Sequence, residues 1–507
     1  MRMSLAALGA LLCASLAVAP AASAAPGTFS SSALRKHVNV DGILEHEKAL
    51  QLIADANGGI RPSGSPGYDA SADYVARKLR AAGLKVTRQP FEFRFFEQLS
   101  RPEMARVAPG AHVYVAETDF ATMDYSGSAP GGVTAAVQAV DLTLPPGAPN
   151  TSTSGCEAAD FAGFVAGNIA LMQRGTCGFG VKARNAQAAG AKGAIIFNEG
   201  QAPDRTELIR GTLGADNFTE IPVVGTTFAV GQELASSAGA VVRLRTETFQ
   251  EVRQTENVFG DTRKGDPNRM IVIGAHLDSV PGGPGINDNG SGTAQNLEIA
   301  EELRHAGRVR NHLRFAFWGA EEAGLVGSTL FVENLSEEEL ARIKANLNYD
   351  MVASPNYVRF VYDGDGSAGL SAPGPDGSGL IERLFLDYFA DQGLATEPTA
   401  FDGRSDYGPF IAAGIPAGGT FTGAEGIKTP EQAAIFGGTA GQPYDPCYHE
   451  ACDTIDNVNP TVLDQMADAA AHVLVQLART RGDIVDSADV RRDASARRQA
   501  EGPHDMR

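Results

Sequence analysis

The chain has 507 residues with ordinary hydrophobic and charged content, which suffices for two or three globular domains and a large core. Its formal net charge of −19 argues against nucleic acid or an anionic membrane as the main partner. We expect a globular monomer that binds neither.

Residues 1–24 are predicted to form a secretory signal peptide. Arg2 supplies a positive start, the apolar run LAALGALLCASLAVA follows, and the small residues Ala22–Ala24 form a cleavage site. A transmembrane anchor is the alternative, but the stretch is short, rich in alanine and followed by no second apolar span. We therefore expect cleavage before Ala25 and a secreted protein.

Loss of the signal peptide would remove Cys13 and leave four cysteines. Four cysteines in an exported chain predict two disulfides, and proximity in the sequence favours Cys156–Cys177 and Cys447–Cys452. Zinc binding by these cysteines is the alternative, but neither pair has the CxxC spacing of a structural zinc site.

Residues 38–100 are predicted to be the first part of an α/β domain. The segments GILEHEKALQLIADA and GYDASADYVARKLRAAG carry apolar residues at helical spacing, and the second helix ends at a glycine. The segment LKVTRQPFEF then alternates as a strand does.

Residues 101–246 have a different texture, with short strands rich in valine and alanine that glycine and proline interrupt. We predict a β-rich inserted domain with one helix at GVKARNAQAAGA. The stretch LMQRGTCGFGVKARNAQAAGAKGAIIFN resembles the protease-associated (PA) domain, a small β-rich insert of several peptidases. The alternative is an ordinary β insertion, and no motif for chemistry occurs there.

Residues 247–481 return to the α/β pattern and are predicted to complete the first domain. The segments MIVIGAH, LRFAFWG, IKANLNYDM and YVRFVYDG are expected to be core strands, while GTAQNLEIAEELRHAG and PTVLDQMADAAAHVLVQLART are expected to be helices. This alternation predicts a mostly parallel, mixed sheet sandwiched by helices. Residues 482–507 are polar and lack aromatic residues, which predicts a disordered or processed tail.

Acidic residues or histidine follow apolar segments at several places in this second part. Taken singly, each fits an ordinary solvated loop. In open α/β sheets, however, ligands bind where the carboxyl ends of the strands meet. Two imidazoles and several carboxylates at one edge form a ligand set for two ions such as zinc, and the candidates are His276, Asp278, Asp288, Glu321, Glu322, Asp350 and His449.

The adjacent pair Glu321 and Glu322 suggests a division of roles. Neighbouring residues at a strand end point in different directions, so one carboxylate can bind metal while the other faces the substrate as general base. The alternative is a pair of exposed glutamates that favour a helix dipole.

Five motifs together resemble those of the co-catalytic dizinc aminopeptidases, which include secreted bacterial leucyl aminopeptidases and aminopeptidase Y. They are GAHLDSV…GINDNGSG, FWGAEEAGLVGS, NYDMVASPN, GRSDYGPF and YDPCYHEACDT, in the family's order. The resemblance implies the phosphorylase/hydrolase-like zinc exopeptidase fold, with the PA domain inserted in it. It also implies a secreted enzyme that removes the N-terminal residue from peptides by means of a water bound to two zinc ions.

The resemblance further implies a role for each motif residue. His276 and Asp350 would bind one zinc, Glu322 and His449 the other, and Asp288 would bridge them. Asp278 would orient the imidazole of His276. Glu321 would be the general base and Tyr448 would stabilise the oxyanion. A disulfide between Cys447 and Cys452 would brace the loop that carries His449.

Substrate binding is assigned to further residues. The family's use of the GRSDYGPF loop suggests that Arg404 and Asp406 help to bind the free amine, and the apolar Met351 and Phe421 would suit a hydrophobic, leucine-like side chain. Calcium is a further candidate cofactor at Asp464 and Asp468, which are spaced i, i+4 on the last predicted helix.

Two other functions fit the same scaffold. A dizinc carboxypeptidase or dipeptidase would share the metal residues, although the RSDYGPF and YDPCYHEACDT loops resemble the aminopeptidase branch. A receptor-like relative without metal would lack at least one ligand, and none is missing from this sequence.

Overall fold

A computed structural model of the chain describes residues 29–202, 205–215, 217 and 219–486. The predicted signal peptide, residues 1–24, lies outside the described residues, and so does the predicted tail from residue 487 onward.

The described elements alternate as the sequence pattern predicts. The helices are α1 (Ser32–Arg35), α2 (Val40–Ala56), α3 (Pro66–Ala81), α4 (Phe179–Ala188), α5 (Phe228–Ser236), α6 (Gly292–Glu302), α7 (Val326–Glu333), α8 (Glu337–Arg342), α9 (Ser378–Asp391), α10 (Gly408–Ala412), α11 (Pro430–Phe436) and α12 (Pro460–Arg479). The strands are β1 (Lys85–Gln98), β2 (Glu103–Ala108), β3 (His112–Val113), β4 (Phe120–Thr122), β5 (Val133–Ala139), β6 (Ile169–Gln173), β7 (Gly193–Phe197), β8 (Val223–Thr226), β9 (Val241–Arg245), β10 (Thr248–Asp261), β11 (Asp266–His276), β12 (Asn311–Trp318), β13 (Ile343–Tyr349), β14 (Phe360–Tyr362), β15 (Glu397–Thr399) and β16 (Ala417–Phe421).

The first sheet is mixed, with the strand order β1-β10-β12-β11-β13-β16-β14-β15. Its central strands β12, β11, β13 and β16 are parallel, so their carboxyl ends lie at one edge. Helices cover both faces: Ile271 and Ile273 pack with α2, α3, α6 and α12, while the intervening Val272 packs with α7 and α10 on the opposite face. This arrangement confirms the predicted sandwich of helices around a mixed sheet, which we call the α/β domain.

The inserted domain is built on a second sheet, β3-β2-β9-β5-β6-β7-β8-β4. The chain leaves the first sheet at the end of β1 and returns at the start of β10. These two strands pair antiparallel along their whole length, from Lys85 opposite Asp261 to Gln98 opposite Thr248. The insertion therefore begins and ends at one place on the α/β domain.

The inserted domain contains α5 besides the predicted helix, which is α4. The side chain of Thr227 caps α5 by accepting a hydrogen bond from the backbone of Val230. The segment FAVGQELAS of α5 continues an apolar, valine-rich stretch. The hydrophobic pattern alone therefore does not distinguish this short helix from the neighbouring strands.

Both ends of the described chain pack on the α/β domain. The side-chain amide of Gln476 bonds the backbone of Phe29, nine residues before the predicted start at residue 38. At the other end, Ile484 is buried and Asp486 accepts a hydrogen bond from the backbone of Leu380, so residues 482–486 are not part of a loose tail. Within the described residues, no helix combines the length and apolarity that crossing a membrane requires.

Candidate metal centre

The residues predicted to bind metal meet at the carboxyl edge of the first sheet. His276 is the last residue of β11, Asp350 follows β13 directly, and Glu321 and Glu322 lie in the loop after β12. Asp288 lies between β11 and α6, and His449 comes from the loop before α12. Parallel strands bring these separate loops to one cleft.

The ligand atoms form two triads that share one carboxylate. Nε2 of His276 lies 3.2 Å from Oδ1 of Asp288 and 3.4 Å from Oδ1 of Asp350. Nε2 of His449 lies 3.2 Å from Oδ2 of Asp288 and 3.2 Å from Oε2 of Glu322. Asp288 therefore turns a different oxygen toward each histidine, as a carboxylate that bridges two ions would.

The donor set fits two divalent ions. Oδ1 of Asp350 and Oε1 of Glu322 are buried, and neither has a hydrogen-bond partner. A buried carboxylate oxygen without a donor is costly, and a cation would supply the missing partner. Two imidazoles together with carboxylates are ligands that zinc accepts.

The electrostatics of the pocket point the same way. Burial raises the pKa of Glu321 well above its ordinary value, in spite of nearby His276, and the neighbouring Asp406 and Asp350 raise it further. Burial works to lower the pKa of His276, but Asp350 and Glu321 raise it well above its ordinary value. The buried acidic side chains of this centre therefore require compensating positive charge.

Asp278 contacts both His276 and the loop after β12. Nδ1 of His276 lies 3.1 Å from the backbone oxygen of Asp278 and 3.6 Å from its carboxylate, so the backbone is the closer partner. Oδ1 of Asp278 also accepts a hydrogen bond from the backbone N–H of Glu321 at 3.3 Å. Asp278 thus connects the end of β11 with the loop that carries both glutamates.

Two residues that sequence reasoning missed hold the loop around Asp288. Arg61 is fully buried and its guanidinium donates to the backbone oxygens of Leu277, Pro284 and Gly285. Asp453 accepts hydrogen bonds from the backbone of Asn287 and Asp288. The only signals were an arginine in the Gly/Pro-rich GGIRPSGSPG and the aspartate that follows Cys452.

Ser405 is a third missed residue, and it orients the carboxylate of Asp350. Its hydroxyl donates to Oδ2 of Asp350 at 2.6 Å and accepts from the side chain of Asn348 at 2.8 Å. Oδ1 of Asp350 is thereby left facing His276.

Tyr448 stands beside the second triad. Its ring stacks on that of His449 with centroids 3.9 Å apart, and its hydroxyl accepts a hydrogen bond from Arg404 at 3.4 Å. The other end of the Arg404 guanidinium pairs with Glu425 at 2.8 Å. Burial, followed by Asp288 and Glu322, raises the pKa of Tyr448, so its hydroxyl keeps its proton.

A cavity opens beside the triads, and both apolar candidates, Met351 and Phe421, line it. Arg404 lines it too, but Asp406 does not. Asp406 is fully buried, and burial raises its pKa to about 7. The contact between Asp406 and a substrate therefore gains no support, because its side chain is buried and lies outside the lining of this cavity.

The structure contains both predicted disulfides, Cys156–Cys177 and Cys447–Cys452, and the second closes the loop that carries Tyr448 and His449. The predicted calcium position gains no support, because Arg35 pairs with Asp468 at 3.2 Å and so takes the place of a cation. Among the described residues, Asp464 and Asp468 belong to no group of metal-binding atoms.

Comparison with known proteins identifies a family for each of the two domains. Residues 257–474 match peptidase family M28, and residues 137–234 match the PA domain. An aminopeptidase of Pseudomonas aeruginosa is 49% identical over 440 residues, which cover 87% of this chain and 81% of that protein.

Leucine aminopeptidase 2 of Trichophyton equinum is 38% identical over 451 residues, 88% of this chain and 86% of that protein. Among solved structures, a zinc aminopeptidase from Bacillus subtilis superposes with a TM-score of 0.55 at 25% identity, covering 88% of this chain and 97% of the other.

Proposed function

This chain belongs to peptidase family M28, and from that premise we propose that it is a secreted aminopeptidase with two zinc ions and a preference for apolar, leucine-like N-terminal residues. The chain is a zinc aminopeptidase with an inserted PA domain. Beyond that, we propose the number of zinc ions, the identity of the general base, the preferred N-terminal side chain and the export of the protein. The observation that carries the proposal is the pair of triads that share Asp288.

His276 and Asp350 would hold one ion, Glu322 and His449 the other, with Asp288 between them. When bound, the ions polarise the scissile carbonyl and lower the pKa of an attacking water. The chain itself fixes the ligands through Asp278, Ser405, Asp453 and Arg61, so that little rearrangement accompanies binding.

Glu321 is the proposed general base. Its carboxylate lies 3.9 Å from Nε2 of His276, is buried and belongs to neither triad. It can take a proton from the attacking water and deliver it to the leaving amine.

Tyr448 is the proposed donor to the oxyanion. Its hydroxyl keeps its proton and lies on the rim of the cavity beside His449. Arg404 donates to the same hydroxyl oxygen, which leaves the tyrosine proton free to point toward the developing negative charge.

Two features support the proposed choice of substrate. The acidic side chains around the cavity attract a protonated α-amine, and Met351 and Phe421 give the same cavity an apolar wall for the first side chain. Arg404, which lines the cavity, is paired with Glu425. Its charge is therefore not available to bind the C-terminal carboxylate of a substrate, as a carboxypeptidase would require.

Export is supported by the predicted signal peptide and by the two disulfides, which persist in oxidising compartments. Sequencing the N-terminus of the protein from the culture fluid tests this part of the proposal. A mature protein that starts near Ala25 is expected, and an intact N-terminus inside the cell would contradict it.

The activity is tested with leucine 4-nitroanilide, its N-acetyl derivative and an N-acetylated peptide with a free C-terminus. We expect hydrolysis of the first alone, two zinc ions per chain by metal analysis, loss of activity on chelation and recovery with zinc. Cleavage of either blocked substrate would overturn the aminopeptidase assignment, and full activity with one ion per chain would overturn the dizinc site.

A further inference from the structure

We propose that the cleft between the inserted domain and the α/β domain binds the residues of the substrate that follow the scissile bond, and that it favours apolar residues over acidic ones there. This inference rests on the proposed function, because it places the residues on either side of the scissile bond in two different cavities.

Two cavities meet at the proposed catalytic residues. The smaller is lined by Met351 and Phe421, and the larger extends toward the inserted domain. Both are lined by the same five residues of the candidate centre: Glu321, Glu322, Arg404, Tyr448 and His449. If the scissile bond lies at these residues, the N-terminal residue of the substrate occupies the smaller cavity. The larger cavity then has room for the substrate residues that follow the scissile bond.

One wall of the larger cavity comes from the inserted domain, through Asp124, Tyr125 and Thr212. This wall has a fixed backbone: the N–H of Asp124 bonds the oxygen of Gly211 at 3.0 Å, and the oxygen of Asp124 accepts from the N–H of Leu213 at 3.0 Å. Tyr125 ties the wall to the α/β domain by bonding the backbone oxygen of Ala323 at 2.6 Å. The cleft is thus a preformed surface across two domains.

The lining has a definite chemistry. The facing wall contains a group of apolar side chains: Phe95 and Phe96 from β1, and Val280, Pro281 and Leu325 from the loops around the metal residues. The ring of Phe96 lies 5.5 Å from that of Tyr125, so aromatic surface spans both domains. Asp124 of the inserted domain and Glu97 of β1 both line the cleft, so a peptide carboxylate would meet acidic side chains from both domains. Apolar side chains therefore fit this cleft and acidic ones are repelled.

The test compares leucine 4-nitroanilide with three tetrapeptides, Leu-Phe-Ala-Ala, Leu-Gly-Ala-Ala and Leu-Asp-Asp-Ala. For the wild type we expect kcat/KM to rank in that order among the peptides, with at least a tenfold range. Equal values for the three peptides, with leucine 4-nitroanilide hydrolysed normally, would overturn this inference and leave the proposed function standing. Failure to hydrolyse any of them would instead overturn the proposed function.

Two variants locate the effect on the inserted domain. Thr212→Arg places a long side chain in the cleft, and we expect the ratio of kcat/KM for Leu-Phe-Ala-Ala to that for leucine 4-nitroanilide to fall at least tenfold. Asp124→Asn is the conservative variant and should raise kcat/KM for Leu-Asp-Asp-Ala several-fold relative to Leu-Gly-Ala-Ala. Unchanged ratios in both variants would overturn the assignment.

Matched controls lie elsewhere on the inserted domain. Thr134→Arg and Glu207→Gln repeat the same chemical changes at exposed positions that do not line the cleft, and both ratios should stay at the wild-type value. If Thr212→Arg proves poorly folded by its thermal transition, the Asp124→Asn comparison decides alone, because that change preserves shape.

Discussion

The hydroxyl of Tyr125 in the inserted domain donates a hydrogen bond to the backbone oxygen of Ala323 at 2.6 Å. Ala323 follows the candidate metal ligand Glu322 directly, so the inserted domain holds the loop that carries both glutamates. The same hydroxyl lies 3.2 Å from the backbone oxygen of Arg94 in β1. The insertion therefore contributes to the centre as well as to the cleft beside it.

Tyr125→Phe should lower kcat for leucine 4-nitroanilide by about twofold to tenfold, the range expected for loss of one hydrogen bond. Tyr125 acts by positioning Glu321 and Glu322, so we expect KM to change little and zinc affinity to fall. Tyr114→Phe is the matched control, because its hydroxyl bonds Glu233 within the inserted domain. An unchanged kcat and zinc affinity in Tyr125→Phe would show that this bond does not position the loop.

Glu321→Gln should reduce kcat by about 10²–10⁴-fold, the usual contribution of general acid–base catalysis, while two zinc ions remain bound. Glutamine keeps the shape of the side chain but cannot accept the proton. Glu322→Gln, next to it, should instead lose one zinc ion. Metal analysis and single-turnover kinetics separate the two effects, and near-normal turnover by Glu321→Gln would exclude it as the base.

Arg61→Met should lower the free energy of unfolding by about 3 kcal/mol or more, because three buried backbone oxygens lose their donor. Zinc affinity should fall as well, since these oxygens belong to the loop around Asp288. Arg80→Met, on the exposed side of α3, should change stability by about 0.5 kcal/mol at most. Denaturant titration measures both, and equal effects would contradict the bracing role of Arg61.

The two disulfides should differ in what their removal changes. The cysteines of Cys447–Cys452 are 5 residues apart and those of Cys156–Cys177 are 21 apart. Chain entropy predicts losses of about 2 and about 3 kcal/mol respectively. Serine replacement of the first pair should weaken zinc binding and lower kcat, because Tyr448 and His449 lie between these cysteines.

Replacement of the second pair should destabilise the inserted domain while zinc content stays at two ions per chain. Thermal unfolding and metal analysis of the two double variants make the comparison. A larger zinc loss in the Cys156/Cys177 variant would reverse the expected order.

Stability should depend on pH through Glu382. Burial, followed by Asp365, raises the pKa of this carboxyl to about 8, against roughly 4.3 in an unfolded chain. The folded state thus holds a proton that the unfolded state releases. Its contribution is fully present below about pH 4.3 and is lost as the pH rises through about 8.

Glu382→Gln removes this titration, so the stability of wild type relative to the variant should fall by the order of 3 kcal/mol between pH 5 and pH 9. Denaturant midpoints at several pH values provide the measurement. The exposed Glu338→Gln is the control and should give a flat difference. A flat difference for Glu382→Gln as well would rule out a raised pKa at this site.

The sequence by itself determined the helices and strands that position the centre, and it identified the metal-binding candidates. Apolar segments marked β11, β12 and β13, and the polar residues directly after them had to meet because parallel strands end at one edge. The disulfides followed from local spacing. Each of these features depends only on residues that are close in the sequence or on the general geometry of parallel sheets.

Tertiary structure alone decided which residues brace the centre and which face the cleft. Arg61 bonds Gly285 across 224 positions, and Arg35 pairs with Asp468, a candidate calcium ligand, from the far end of the chain. The burial of Asp406 and the hydrogen bond from Tyr125 to Ala323 likewise depend on how separate elements pack. No local pattern encodes such contacts, because their partners are fixed only when elements that are distant in the chain pack together.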